Sequence, residues 1–235
     1  MAEIIMLDKI PREYKYKFFD AGAFAKCYLT KDGRVLKVFF ADISNYENNI
    51  IKVSNLESDS IIFPSILFTN SDNHLIGYVS DYVIGNRLDN LNGNTNMESF
   101  INALKELELE LKRLSKERLS VSDIKGENSF YTPKQHIKLI DIDFYRFDTI
   151  NDLNSIYREN MSELYSLIRH DILRINPHRF KSKQICDMDE LISRGLMSDA
   201  DYLYEIKREI ERTYGYRVRT YDEFNNGLRL IIKKF

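Results

Sequence analysis

The chain is short of the residues that build metal centres and disulfides. It has two cysteines, Cys27 and Cys186, far apart in sequence and with no CxxC pair. That spacing removes zinc-ribbon and dithiol redox motifs. Both cysteines read as reduced, buried thiols in a cytoplasmic setting. The four histidines, His74, His136, His170 and His178, form no HExxH and read as structural or solvent-facing. No run of about 18 apolar residues occurs, so no membrane-spanning helix is expected. The opening MAEIIMLDKIPREYK is too soon interrupted by charge to read as a signal peptide. Net charge is −2 and the basic residues are scattered, so no field argues for nucleic acid or an anionic membrane. Internal repeats and low-complexity stretches are also missing.

What is present is an ordinary mixture of 43% hydrophobic and 30% charged residues over 235 positions, enough for one large domain or two small lobes. The first ninety residues are strand-rich. Tyr14 to Phe19, Lys26 to Thr30, Val35 to Phe40, Ile61 to Leu67 and His74 to Val83 are β-prone, with turns at Lys31-Asp32-Gly33 and Asn70 to Asn73. Asn45 to Leu56 has helical spacing at Tyr46, Ile50, Val53 and Leu56. Gly85 to Asn96 reads as a linker. Met97 to Lys116 is an amphipathic helix with Phe100, Ile101, Leu104, Leu107, Leu111 and Leu114 on one side. Two short strands flank the turn Thr132-Pro133-Lys134, and from Leu153 onward the pattern is helical, including one or two helices over Met188 to Tyr214. The reading is α+β, divided into residues 1–84 and 85–235.

The chemistry concentrates in Ser122 to Tyr145, SDIKGENSFYTPKQHIKLIDIDFY. Asp123, Lys125 and Asn128 share one loop, and Asp141 ends the strand Ile137 to Ile140. A carboxylate that orients a hydroxyl, an ammonium that neutralises a phosphoryl group, and an amide and second carboxylate that hold magnesium are the parts phosphoryl transfer uses.

From Asp123 to Asn128 this segment resembles the catalytic loop H-R-D-L-K-x-x-N of the protein kinase family, and Asp141-Ile142-Asp143 stands where that family has D-F-G. Asp20 to Cys27 is similar to the glycine-rich loop, with its middle glycine kept as Gly22. Val35-Leu36-Lys37 resembles the V-A-I-K strand. Glu47 opens a pattern like the family's helix glutamate, with Glu57 as its competitor. Gly77 to Leu88 looks like the hinge. The resemblance covers about residues 16 to 175.

The resemblance implies a bilobal fold, with a β-rich N-lobe and a compact, mainly helical C-lobe, that takes ATP and Mg2+. Asp123 would be the base or hydroxyl-orienting group, Lys125 would contact the γ-phosphate, and Lys37, paired with Glu47, would hold the α/β-phosphates. Asn128 and Asp141 would bind magnesium. Gly22, Ala23 and Phe24 would approach phosphate, Asp81 and Val83 would meet adenine through backbone groups, and Cys27, Val35 and Phe130 would contact the base.

Departures qualify what is phosphorylated. Val121 and Ser122 replace His and Arg, which removes the basic pocket for an activation-loop phosphate. Asp143 replaces a glycine, as an extra metal ligand or a hydrogen-bonding turn residue. No A-P-E segment follows. The expectation is a small, bacterial-style Ser/Thr protein kinase acting on a protein hydroxyl. The alternatives are a small-molecule kinase of the aminoglycoside or choline kinase type, a nucleotide-binding pseudokinase, and ordinary surface charges on an α+β protein. Lys207, Arg208, Arg212, Arg217 and Arg219, interleaved with Glu205, Glu209 and Glu211, read as a solvated helix face.

Overall fold

The structure is a computed structural model that describes residues 1–176 and 179–232; His178 and the chain's last three residues lie outside the described residues. It is mixed α+β, with a six-stranded sheet and six α-helices among the described residues. The chain divides into two compact units. The first comprises Met1–Val83 and Ile140–Phe147, and the second Ile84–Leu139 and Asp148–Phe235. The division expected at 84/85 therefore misses the excursion of residues 140–147 back into the first unit, which carries Asp141 there.

The first unit contains β1 (Glu3–Met6), β2 (Lys17–Ala21), β3 (Ala25–Leu29), β4 (Val35–Phe39), α1 (Ser44–Val53), β5 (Ile66–Thr69) and β6 (Leu75–Ser80), in sheet order β1-β5-β6-β4-β3-β2. All neighbours are antiparallel except β1 and β5. Period-two alternation sends Leu36 to one face, where Ile10, Phe68 and Val79 complete a buried cluster. Lys37 points to the other face, across the ladders from Cys27 on β3 and Tyr78 on β6. Gly77 sits where a Cβ would come within 2.5 Å of the Lys37 carbonyl, so β4 and β6 close up only on glycine.

Several expected elements shift for local reasons. The N-terminal apolar stretch is strand β1. Tyr14 leaves the predicted strand for a 3-10 turn, Arg12–Tyr14, and packs edge-on against Phe68 at 5.2 Å. The strand expected from Ile61 begins only at Ile66, because Pro64 has no N–H to give a ladder.

The second unit begins with β7 (Asn86–Arg87) and a 3-10 turn at Leu88–Asn90, so Gly85 to Asn96 is not an unstructured linker. Leu88 is fully buried, and Gly85 passes so close to the Tyr131 carbonyl that a Cβ would lie 2.6 Å from it. α2 (Met97–Lys116) follows, capped by the Asn96 side chain, which accepts from Ser99 N at 2.9 Å. Then come β8 (Leu119–Ser120), β9 (Ser129–Tyr131), β10 (Ile137–Leu139) and α3 (Leu153–Leu167), which runs into a π-helical turn, Ile168–Leu173. α4 (Lys183–Ser193), α5 (Asp199–Tyr214) and α6 (Tyr221–Ile231) complete it. α6 starts with a capping box between Thr220 and Glu223. α2 packs against α3 and α5, and α5 against α4 and α6. The charges on α5 pair locally, as Lys207 with Glu211, Arg208 with Glu205 and Arg212 with Glu209. No helix among the described residues is long and apolar enough to cross a membrane.

One side chain in this packing is out of balance. Asp199, at the start of α5, is fully buried, and neither carboxylate oxygen meets a donor from another residue. Glu108 of α2 stands beside it and accepts from Ser198 Oγ at 2.7 Å and Ala200 N at 2.9 Å. Tyr157 and Tyr165 of α3 are the other titratable neighbours. Burial, and then the Glu108 charge, push Asp199 well above the usual carboxylate range. A raised carboxyl stabilises the fold below its unfolded value and loses that stability as pH climbs through the folded value. Asp199→Asn cannot ionise and is therefore expected to flatten that decline of stability between acid and neutral pH. Urea unfolding at acid and neutral pH checks this. A variant whose stability falls with pH as steeply as the parent's contradicts it.

Candidate functional site

Chemistry-bearing side chains gather in two clusters, one in each unit. In the first, Lys37 projects from β4 and the return segment 140–147 brings two carboxylates to it. Its Nζ pairs with Asp141 Oδ1 and lies 2.7 Å from Asp143 Oδ2. Tyr78, cross-strand from Lys37, donates its hydroxyl to Asp143 Oδ1 at 3.1 Å. The return segment is held by its own turn, Tyr145 N to Ile142 O at 3.0 Å, and by the burial of Ile142 and Tyr145. Phe144 packs edge-on against Phe24 and Tyr46. Asp141 has φ +64°, a left-handed conformation that a short polar side chain accommodates better than most.

Electrostatics follow from this crowding. Burial pulls the Lys37 ammonium down, but the Asp143 and Asp141 charges outweigh it and the net direction is up. Burial pushes the Asp143 carboxyl above the usual range, opposed by Lys37 and reinforced by Asp141. Tyr78 is driven well above the usual phenol value, first by burial and then by Asp143, so it stays a donor. Burial pushes the Cys27 thiol up to about 11, which keeps it uncharged.

Glu47 is not the partner of Lys37, and neither is Glu57: the carboxylates on Lys37 are Asp141 and Asp143. Glu47 Oε1 instead accepts from Leu75 N at 2.8 Å, satisfying the first backbone donor of β6, while Oε2 lies 3.3 Å from His74 Nδ1. Asp143 is a hydrogen-bonding turn residue, and it is buried.

The other residues expected in this unit have separate settings. Gly22 and Ala23 are exposed in the β2–β3 turn, closed by Gly22 N to Ala25 O at 2.9 Å. A Cβ on Gly22 would meet nothing, so that turn does not need glycine for space. The Phe24 carbonyl accepts from Phe40 N and its ring joins the Tyr46–Phe144 group. Val35 begins β4, half-buried. Asp81 is exposed just beyond β6, and Val83, half-buried, ends the first stretch of the unit.

In the second unit, Asp123, Lys125 and Asn128 meet. Lys125 Nζ is 2.7 Å from Asp123 Oδ1, and Asn128 Nδ2 donates to Asp123 Oδ2 at 3.2 Å. With Nδ2 turned to Asp123, the Asn128 side-chain oxygen is left as the acceptor. Asp123 has φ +63°, at a cost of roughly 1 kcal/mol for a residue with a Cβ. Its neighbours keep it there. Val121 and Ile124 are buried on either side. Asn160 of α3, fully buried, accepts from Val121 N at 2.7 Å and donates to Leu119 O at 3.0 Å and Ser115 Oγ at 2.9 Å. Gly126 N donates to Asp171 at 2.9 Å, and a Cβ on Gly126 would lie 2.6 Å from Asp89. Phe130 lies on β9, half-buried, opposite Arg87 of β7 and Lys138 of β10.

Sequence reasoning did not single out Tyr78, Asn160 or Asp171. Asn160 had a readable signal, because it stands four residues from both Ile156 and Leu164 on an apolar helix face. Tyr78 and Asp171 had none, since their partners are set by tertiary packing. No three side chains of His, Cys, Asp or Glu among the described residues group as a metal centre.

Replacing Asn160 with alanine strips partners from the buried Val121 amide and Leu119 carbonyl. The expected loss is about 2–4 kcal/mol in urea unfolding, with faster hydrogen exchange at Val121. A loss under about 0.5 kcal/mol, the scale of a neutral surface change, contradicts the anchoring role.

Compared with models of known protein families and with curated proteins, the sequence matches none.

Proposed function

We propose that the protein is an ATP- and magnesium-dependent phosphotransferase of the protein-kinase-like kind, transferring a γ-phosphoryl group to a hydroxyl. The observation that carries this reading is the pairing of Lys37 with Asp141, residues 104 positions apart. A strand lysine and a carboxylate from a late segment were read from sequence as the phosphate- and metal-holding pair, and they meet within one compact unit.

Taken one by one, the proposed ligands suit magnesium. Asp141 already faces a cation, and Asn128 keeps an amide oxygen unengaged. Both are hard oxygen ligands of the type magnesium takes. Magnesium-bound ATP would supply the phosphoryl group and neutralise its charge. In the first unit Lys37 would hold phosphate oxygens and Asp141 the metal, and Asn128 is the further ligand that the sequence resemblance implies. Asp123 would orient the acceptor hydroxyl and take its proton. Lys125, half-exposed beside Asp123, would shield the charge of the transferring group.

Lys125 two residues after Asp123 favours a protein hydroxyl as acceptor. A small cationic substrate would want an acidic surface over the helices. The cavity of about 450 Å³ between α2 and α5 is lined by Glu98, Asp201 and Glu205. Each carboxylate there already has a cation, Arg217, Lys105 and Arg208 respectively. The pseudokinase alternative needs no hydroxyl-orienting carboxylate, whereas Asp123 is held in a costly backbone conformation.

Purified protein given γ-labelled ATP and magnesium is expected to label itself or a generic protein. Asp123→Ala should lower transfer by about 10²–10⁴-fold, the usual worth of a general base, while nucleotide binding survives. Asp141→Ala should weaken magnesium-dependent nucleotide binding. Nucleotide binding without transfer in the parent protein would establish the binding-module reading, and label confined to small metabolites the small-molecule one.

A further inference from the structure

The carboxylate that positions Lys37 does not come from a helix. We infer that Asp143 does this work, locked by Tyr78, and that Lys37 is held in place without Glu47 of α1. What Lys37 is held for rests on the phosphotransferase reading; what holds it does not.

Three observations lead here. The two carboxylates on Lys37 are not equivalent. Asp141 keeps 32% of its side chain exposed, and Asp143 only 9%. Asp141 is thus the partner open to exchange with an incoming cation, and Asp143 is the fixed one. Tyr78 also fixes which oxygen does what, since its hydroxyl occupies Oδ1 and leaves Oδ2 to the ammonium. The Tyr78 ring lies 5.9 Å from Lys37 Nζ on the same sheet face, so one side chain borders both members of the pair. Finally, Glu47 is committed to the start of β6 through Leu75 N and His74.

The consequence concerns regulation. Asp141 and Asp143 stand two residues apart on one turn, so any movement of that turn carries both carboxylates together. Moving α1 displaces Glu47, which does not touch the pair, and reaches the turn through Tyr46, which packs on Phe144 at 5.2 Å. In this architecture Lys37 is ready without a helix-borne carboxylate, and control over it acts on residues 140–147, directly or through Tyr46.

The test is side-chain relaxation of ¹³Cε-labelled lysine, read at Lys37 in the parent protein and in Asp143→Asn, Tyr78→Phe and Glu47→Gln. Asp143→Asn should turn Lys37 from ordered to mobile, Tyr78→Phe should do so in part, and Glu47→Gln should leave it unchanged. Tyr78→Phe removes only a hydroxyl, so it still tests the lock where Asp143→Asn does not fold. Transfer assays on the same proteins should show kcat falling about 10²-fold in Asp143→Asn, the scale of a misplaced group, with KM for ATP changing less. Lys37 staying ordered in both Asp143→Asn and Tyr78→Phe, or being freed by Glu47→Gln, overturns the assignment. Lys37 freed as described in a protein that transfers no phosphate keeps the Asp143 assignment and removes the phosphotransferase reading instead.

Discussion

The ion cluster of Lys37 with Asp141 and Asp143 is the interaction around which the first unit is organised. An ammonium on an inner strand of a sheet is tolerable only if charge comes to it, and nothing on the neighbouring strands supplies that charge. The chain solves this by returning for residues 140–147 after an excursion through the second unit. The return is anchored by apolar and aromatic packing at Ile142, Phe144 and Tyr145. Breaking a buried pair by removing one partner typically costs about 3–5 kcal/mol, because the other charge is stranded. Burial raises the Asp143 carboxyl, Lys37 opposes it, and the second carboxylate on the same lysine, Asp141, adds to the rise.

The second unit treats its own loop in the same manner, with different means. Asp123 stands in left-handed backbone, between two buried aliphatic residues, under a helix that spends a buried asparagine on the loop's amide and carbonyl. Backbone strain of this kind persists when the surroundings over-determine it. Here the surroundings are Asn160, Asp171 and the close approach at Gly126. The result is a carboxylate, an ammonium and an amide held within hydrogen-bonding reach of one another.

How much of this was legible depends on whether the signal was local. α2 was read with its observed ends, because six apolar residues at helical spacing and the Asn96 cap all lie within it or next to it. Strands β3 and β4 were read to within a residue, because their turn at Gly33 needs φ +82° and sits between β-prone runs. β1 was missed because its few apolar residues were weighed only as a possible leader. α6 was missed although Thr220 and Glu223 form a capping box before Phe224, Leu228 and Ile231. Glu47 shows the limit most clearly. Its helix was correctly placed, but the choice between Lys37 and the Leu75 amide is made by tertiary geometry, on which residue spacing is silent. Lys37 and Asp141 could be paired only through family resemblance, since no local pattern spans 104 residues.

The central claim is that Lys37 and the carboxylates of the return segment form a receptive site for a magnesium–nucleotide. Titration calorimetry with a non-hydrolysable ATP analogue, with and without magnesium, addresses it directly. The account predicts one site per chain that needs magnesium and disappears in Lys37→Ala. Absence of binding to the folded parent protein, or binding indifferent to both magnesium and Lys37, would contradict it.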